Sequence, residues 1–143
     1  MFKLRNATKD DMSYLLTLRK LTMETYLATS GLSCTDEAHV CRINFEFKHC
    51  YLIYKSAQKI GMLKYNVGNN ILYIKQLQIH PDFQNSGIGS GLIRQLISSH
   101  NPTSVKLSVL KTNPALNLYL RLGFQQYDED EHEFYMERKS INP

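Results

Sequence analysis

Two kinds of spacing alternate along the chain. After a short extended opening, Phe2-Lys3-Leu4-Arg5-Asn6, the apolar residues Met12, Leu15, Leu16 and Leu18 run on towards Tyr26 at helical intervals. Thr8 with Asp11 three residues later has the form of a capping box, and Gly31 is a natural stop. A second helical stretch runs from Thr35 to about Phe47, although residues 44–47 also read as extended. From Tyr51 the period drops to two: residues 51–56 and 59–67 read as strands joined tightly near Ala57-Gln58, and Gly68-Asn69-Asn70 marks the next turn. The run Ile71-Leu72-Tyr73-Ile74-Lys75-Gln76-Leu77-Gln78-Ile79-His80 follows. It is apolar on both faces in its first half, which suits a central strand, and Pro81 stops it.

Helical spacing returns at Leu92, Ile93, Leu96 and Ile97 and ends near His100-Asn101-Pro102. Residues 105–110 form another strand, and Asn113-Pro114 opens a short helix with proline at its first position, closed by Gly123. Two last strands, 124–128 and 133–138, flank the acidic turn 128–133. This order predicts an α/β (α+β) fold: a mixed, mostly antiparallel sheet of about six to seven strands flanked by about four helices.

With 143 residues and no repeat or linker, the chain reads as one domain, 1–143. Its 43% hydrophobic and 21% charged residues exclude disordered and fibrous classes. A net charge of +4, with no Lys/Arg run, accommodates an anionic ligand without indicating nucleic acid. No apolar stretch approaches the roughly 18–20 residues of a membrane span, and the N-terminus has no signal-peptide core, so a cytoplasmic protein is expected. Cys34, Cys41 and Cys50 lack both disulfide-framework and zinc-ligand spacing, and no metal is expected.

The stretch most suggestive of chemistry is Gln84-Asn85-Ser86-Gly87-Ile88-Gly89-Ser90-Gly91, at a strand-to-helix junction. Glycines there permit a sharp turn and close approach to amides, and a helix start adds unpaired N–H groups and a positive dipole end: a seat for phosphate. Walker-type loops need Gly-Lys-Ser/Thr, which is absent, and dinucleotide folds need a following acidic residue. No Asp or Glu occurs from Phe83 to Tyr127, so neither a ribose-binding carboxylate nor a Mg²⁺ site is provided. Arg94, Lys106, Lys111 and Arg121 are expected to lack opposing charge, which suits a polyanion bound without metal.

The segment Leu77-Gln78-Ile79-His80-Pro81-Asp82-Phe83 with the loop behind it resembles the acetyl-coenzyme A loop of the GNAT superfamily, the acyl-CoA-dependent N-acyltransferases. Residues 113–124, in which Asn113 opens a helix carrying Tyr119 before Gly123-Phe124, resemble that family's second motif. The likeness covers about residues 71–127. It implies acetyl-CoA as acyl donor, with amides from Gln84, Asn85, Ser86, Gly87, Ile88, Gly89 and Ser90 around the pyrophosphate and Gln84 bracing the loop. It further implies a strand splayed from its neighbour, so that Leu77, Gln78 and Ile79 offer free backbone groups to pantetheine. The Ile79 N–H would then serve the thioester oxygen, and Tyr119 would be the general acid. Asn113 is either a pantetheine contact or only a helix cap.

A phenol with a pKa near 10 is protonated at neutral pH and can donate to a thiolate whose thiol is near 8.5. The base is not evident. Family members often carry Glu on the strand before the loop, where this chain has Lys75, Gln76, Gln78 and His80. Gln76, Gln78 and His80 share a face, from which the amides could position a water, Gln78 above all, and His80 relay a proton; Glu24 and Glu46 are more distant candidates. Acceptor choice would fall to Met23, Glu24, Tyr26, Phe45 and Phe47 with Tyr127, Phe134 and Tyr135, groups suited to a cationic amine. The turn 128–133 reads as solvated. The expectation is therefore N-acetyltransfer from acetyl-CoA to a small-molecule or peptide amine by direct attack, since no cysteine lies in either motif. The alternative is a non-catalytic CoA-binding domain. Neither nucleic acid nor membrane is an expected partner, and a homodimer through sheet edges is compatible with the pattern.

Overall fold

A computed structural model describes residues 1–140. One seven-stranded sheet is built from β1 (Lys3–Asn6), β2 (Cys50–Lys55), β3 (Gln58–Gly68), β4 (Ile71–Ile79), β5 (Ser104–Leu110), β6 (Gln125–Glu129) and β7 (Glu133–Lys139). The helices are α1 (Met12–Thr29), α2 (Asp36–Asn44), α3 (Ile88–His100) and α4 (Ala115–Arg121). Strand order is β1-β2-β3-β4-β5-β7-β6, and β4 with β5 is the parallel pair.

Alternation along the strands produces two cores. Leu52 and Met62 face α1 and α2, joining Leu15, Leu18 and Ile43. Ile53, Leu63, Leu72 and Ile74 face the other way, onto Leu92, Ile93 and Leu96 of α3 and Tyr119 of α4. The strand predicted to be central, β4, lies in the middle of the sheet, with Leu72 and Ile74 buried. Among the described residues, no helix is long and apolar enough to cross a membrane.

Element ends follow local chemistry. Asp11 Oδ2 accepts from the Thr8 N–H at 2.8 Å, the reciprocal half of the capping interaction, and is also held by Arg5. The β2–β3 and β3–β4 turns put consecutive residues at positive φ, Ser56-Ala57 and Asn69-Asn70, as tight hairpins of right-twisted strands require. Helix α2 is shorter than its sequence suggested. Thr35 caps its start, but Phe45 is extended and Glu46 left-handed, so the helix ends at Asn44 and a 3₁₀ turn covers Phe47–His49. Pro114 precedes α4 rather than filling its first turn, with helical φ of −65° already set by its ring.

Candidate active site

β4 and β5 pair from Ile71–Ser104 to Ile74–Leu107 and then part, whereas β4 remains registered with β3 as far as Gly61–Ile79. The His80 N–H donates to Ile60 O at 2.9 Å. Because N–H directions alternate along a strand, Leu77 and Ile79 turn their N–H and C=O groups away from β3, into the opening left by β5. Gln78 does the reverse: its backbone faces β3, so the expected run of three free residues reduces to two. Its side chain, 5% exposed, lines the cavity instead. Close approach at this point depends on Gly61, where an added Cβ would lie 2.2 Å from Gln78 O.

Beyond β4, His80 Nδ1 accepts from the Asp82 N–H in a 3₁₀ turn over Pro81–Phe83. Gln84 Nε2 donates to Ile79 O at 2.9 Å, and Ser86 Oγ donates to Phe83 O at 2.7 Å, tying the loop to the strand end. The Gln84 N–H is used internally, on Pro81 O, so an amide seat starts only after it. Asn85 (φ 62°) and Gly87 (φ 78°) are both left-handed, and this double reversal starts α3 at Ile88. The first helical bond runs from Gly91 N–H to Gly87 O, so the N–H groups of Ile88, Gly89 and Ser90 point out of the helix end.

The opening between β4 and β5 leads into a cavity of about 400 Å³. Tyr119 lines it from α4. The residue is 7% exposed, its ring sits edge-on to Phe124, its hydroxyl has no hydrogen-bond partner among the described residues, and burial pushes its pKa up to about 12. Asn113 also lines it, and its Oδ1 accepts from the Ala115 N–H at 2.9 Å, so the capping role anticipated for it exists.

The remaining walls differ from the sequence expectation. Among the residues expected to choose the acceptor, Met23 lines the cavity; Glu24, Tyr26, Phe45, Phe47, Tyr127, Phe134 and Tyr135 do not. Phe47 and Phe134 instead pack against the two cores. His80, Glu24 and Glu46 are likewise outside the lining. The supposedly solvated turn contributes Asp130, His132 and Glu133, because β7 lies beside β5 and brings its start over the opening. Lys111, expected to be unopposed, pairs with Glu129.

Three charged groups were not anticipated. Arg19 is 6% exposed, lines the cavity, and donates through Nε to His39 Nδ1 at 3.1 Å. Burial, then the Arg42 charge, lowers its pKa to about 10. Arg42 joins it from α2. From β7, the Glu133 carboxyl is pushed up by burial and by neighbouring Asp130, and Ser108 Oγ lies 3.5 Å from it. Asp130 is engaged differently: it accepts from the His132 and Glu133 N–H groups and the Tyr135 hydroxyl, which hold its carboxyl low. A signal for Arg19 was present, since it falls four residues after Leu15 on the buried face of α1. Glu133 was hidden within a run of like charges.

The acetyltransferase (GNAT) domain family model matches residues 46–126. The chain is 32% identical over 80 residues to mouse (Mus musculus) cysteine-rich protein 2-binding protein, covering 56% of this chain and 10% of that protein. It therefore spans about a tenth of the length of the curated relatives it matches. Among solved structures, an acetyltransferase from Thermus thermophilus superposes with a TM-score of 0.78 at 19% identity, covering 98% of this chain and 97% of that one. The PaiA N-acetyltransferase from Thermoplasma acidophilum, solved in complex with coenzyme A, gives 0.73 at 16% identity, covering 98% and 99%.

Proposed function

Because the chain belongs to the GNAT acetyltransferase family, we propose that it transfers the acetyl group of acetyl-CoA to a primary amine by direct attack in a ternary complex. The observation that carries this reading is the splay beyond Ile74–Leu107. It leaves the outward backbone groups of Leu77 and Ile79 beside the open N-terminus of α3, with Tyr119 across the cavity. Acetyl-CoA supplies an activated thioester. The chain contributes a seat for its pyrophosphate from Asn85 to Ser90, where dipole and free amides favour negative charge. Leu77 pairs its outward N–H and C=O with the pantetheine amides as an added strand would, the Ile79 C=O being held by Gln84, and Asn113 stands at the same wall.

The Ile79 N–H stabilises charge developing on the thioester oxygen, a contribution that no side-chain substitution at 79 removes. Tyr119 donates its proton to the departing sulfur. Burial keeps the phenol protonated throughout the neutral range, while a pKa near 12 makes it a weaker acid than a free phenol, so the proton moves only as charge builds on the sulfur. The Gln78 side chain orders water beside the amine. A non-catalytic CoA-binding role would need the α3 end but not the cavity wall beyond Tyr119.

The test pairs calorimetric binding of acetyl-CoA, with Gly89→Asp as control, with free-thiol release across a panel of amines. Gly89→Asp should abolish binding by adding a negative charge at the open end of α3 and a Cβ that crowds Leu118 Cδ2 at 3.1 Å. Tyr119→Phe should lower kcat by about 100-fold with the fold intact by circular dichroism. Turnover within a few-fold of wild type would remove Tyr119 from the acid role, and absence of acetyl-CoA binding would end the reading.

A further inference from the structure

The acceptor side of the cavity carries positive charge that the protein does not neutralise. Arg19 is 6% exposed as a residue, His39 takes only its Nε–H, and its terminal nitrogens, at the cavity wall, meet no acceptor among the described residues. His39 offers no compensating charge: its Nδ1 accepts that bond, so the ring is neutral, and burial followed by Arg19 itself lowers its pKa. Arg42 enters the same cavity from the next helix and makes no ion pair among the described residues. Lys75 adds a third cation on the rim. Guanidinium donors left unfilled at a cavity wall are completed by an anion, and a carboxylate is the planar group that matches their fork.

The opposite wall is acidic. Asp130 is consumed by its own turn, which leaves Glu133 as the carboxylate facing the cavity, half-buried and, among the described residues, hydrogen-bonded only by Ser108 at 3.5 Å. Arg42 and Glu133 are near enough to feel one another's charge but do not pair within 4 Å. A molecule entering this cavity of about 400 Å³ beside the acyl donor's end therefore meets cationic groups on one wall and a carboxylate on the other.

We propose that the acceptor is a small amine that also bears a carboxylate, an amino acid in the broad sense, with its carboxylate on Arg19 and Arg42 and its amine towards Glu133. The expectation of a cationic acceptor held by acidic and aromatic side chains is replaced by a zwitterionic one. This deepens the acyltransfer reading and rests on it for the second substrate's role.

Matched pairs differing only in the carboxylate test it: L-lysine against cadaverine, L-phenylalanine against phenethylamine, and β-alanine against ethylamine. Thiol release from acetyl-CoA is measured for wild type, Arg42→Gln and Arg42→Lys. Melting temperatures are read with the same compounds, with and without CoA. The carboxylate member of the best-used pair should exceed its partner at least tenfold in kcat/KM. Arg42→Gln should erase most of that ratio through KM, and Arg42→Lys, which keeps charge but not the fork, should restore part of it. If no pair turns over, a carboxylate-dependent rise in melting temperature that Arg42→Gln abolishes supports the site. Equal or inverted preference, a preference surviving Arg42→Gln, or neither turnover nor a carboxylate-dependent shift overturns it. Melting shifts read without CoA separate the two readings: failed acetyl-CoA binding defeats acyltransfer, while the arginine site stands or falls on the carboxylate.

Discussion

Lys64 on β3 is 1% exposed and has no carboxylate partner among the described residues. Its Nζ instead donates to Arg42 O at 2.9 Å, Ile43 O at 3.0 Å and Phe45 O at 2.5 Å. These are carbonyls at the end of α2, which no further turn of helix can satisfy, and the negative end of the helix dipole lies there too. Replacing Lys64 by Met removes the donor and leaves three acceptors inside. A buried carbonyl that loses its partner costs about 1–3 kcal/mol. Acting the other way, burial lowers the ammonium from 10.5 to about 8, an opposition to the charged form of about 3 kcal/mol that Met does not experience. The balance predicts that Lys64→Met destabilises by about 3 kcal/mol at pH 7.

The same numbers fix a pH dependence. Between pH 8 and 10.5 the unfolded chain holds a proton on Lys64 that the native state has released, so this group's contribution to stability rises with pH across that window. The Met variant lacks that rise, so its deficit must widen as pH increases. Urea unfolding of both proteins at pH 7, 8, 9 and 10 measures the gap, and groups common to the two cancel. A deficit below about 1 kcal/mol at pH 7, or a gap that is flat or narrows with pH, would refute the reasoning.

Two further substitutions probe the frame of the site. Gly61→Ala places a methyl group against Gln78 O, forcing β4 outward where it splays; a stability loss of about 2 kcal/mol and weaker acetyl-CoA binding by calorimetry are expected, and unchanged binding would show that β4 is positioned otherwise. Asp11→Asn removes a carboxylate that the Arg5 hydrogen bond holds below its ordinary pKa and that caps the entry to α1. That stability is present above the unfolded pKa of 3.8 and is lost as pH falls through the lower folded value, so a deficit of about 1 kcal/mol at pH 7 should vanish on acidification; a constant gap in acid unfolding would contradict it.

The proposed donor half of the site can be read from the sequence because it is local. Gln84, Gly87 and the α3 start lie within a few residues, and the forces that shape them act between neighbours. Tyr119 and Asn113 follow from one helix and its cap. The proposed acceptor half is not local. Arg19, Arg42 and Glu133 belong to α1, α2 and β7, and only the sheet order, with β7 inserted between β5 and β6, brings the last of them over the opening. Periodicity also misassigns polar residues with buried duties. Lys64 alternates like any strand residue and gives no hint that it terminates a helix. The run 128–133 looks uniformly solvated because its charges are alike, whereas one carboxylate holds the turn and another faces the cavity.

Both halves nevertheless depend on β3. At Gly61 it lets β4 approach closely enough for Gln78 and Ile79 to be registered where β5 departs, which sets the donor wall. At Lys64, three residues on, it grips the end of α2 through the carbonyl of Arg42 itself, which sets the acceptor wall. Because β3 is paired on both sides, the spacing of the two proposed walls is referred to one strand of the sheet rather than to loops. Disturbing β3 should therefore alter donor and acceptor binding together, whereas changes in α4 or the β6–β7 turn act on one wall at a time. That division explains why the side chains facing the reaction can come from so many elements. The precision resides in the backbone of β3 and its two unusual residues, one with no side chain and one with a buried charge.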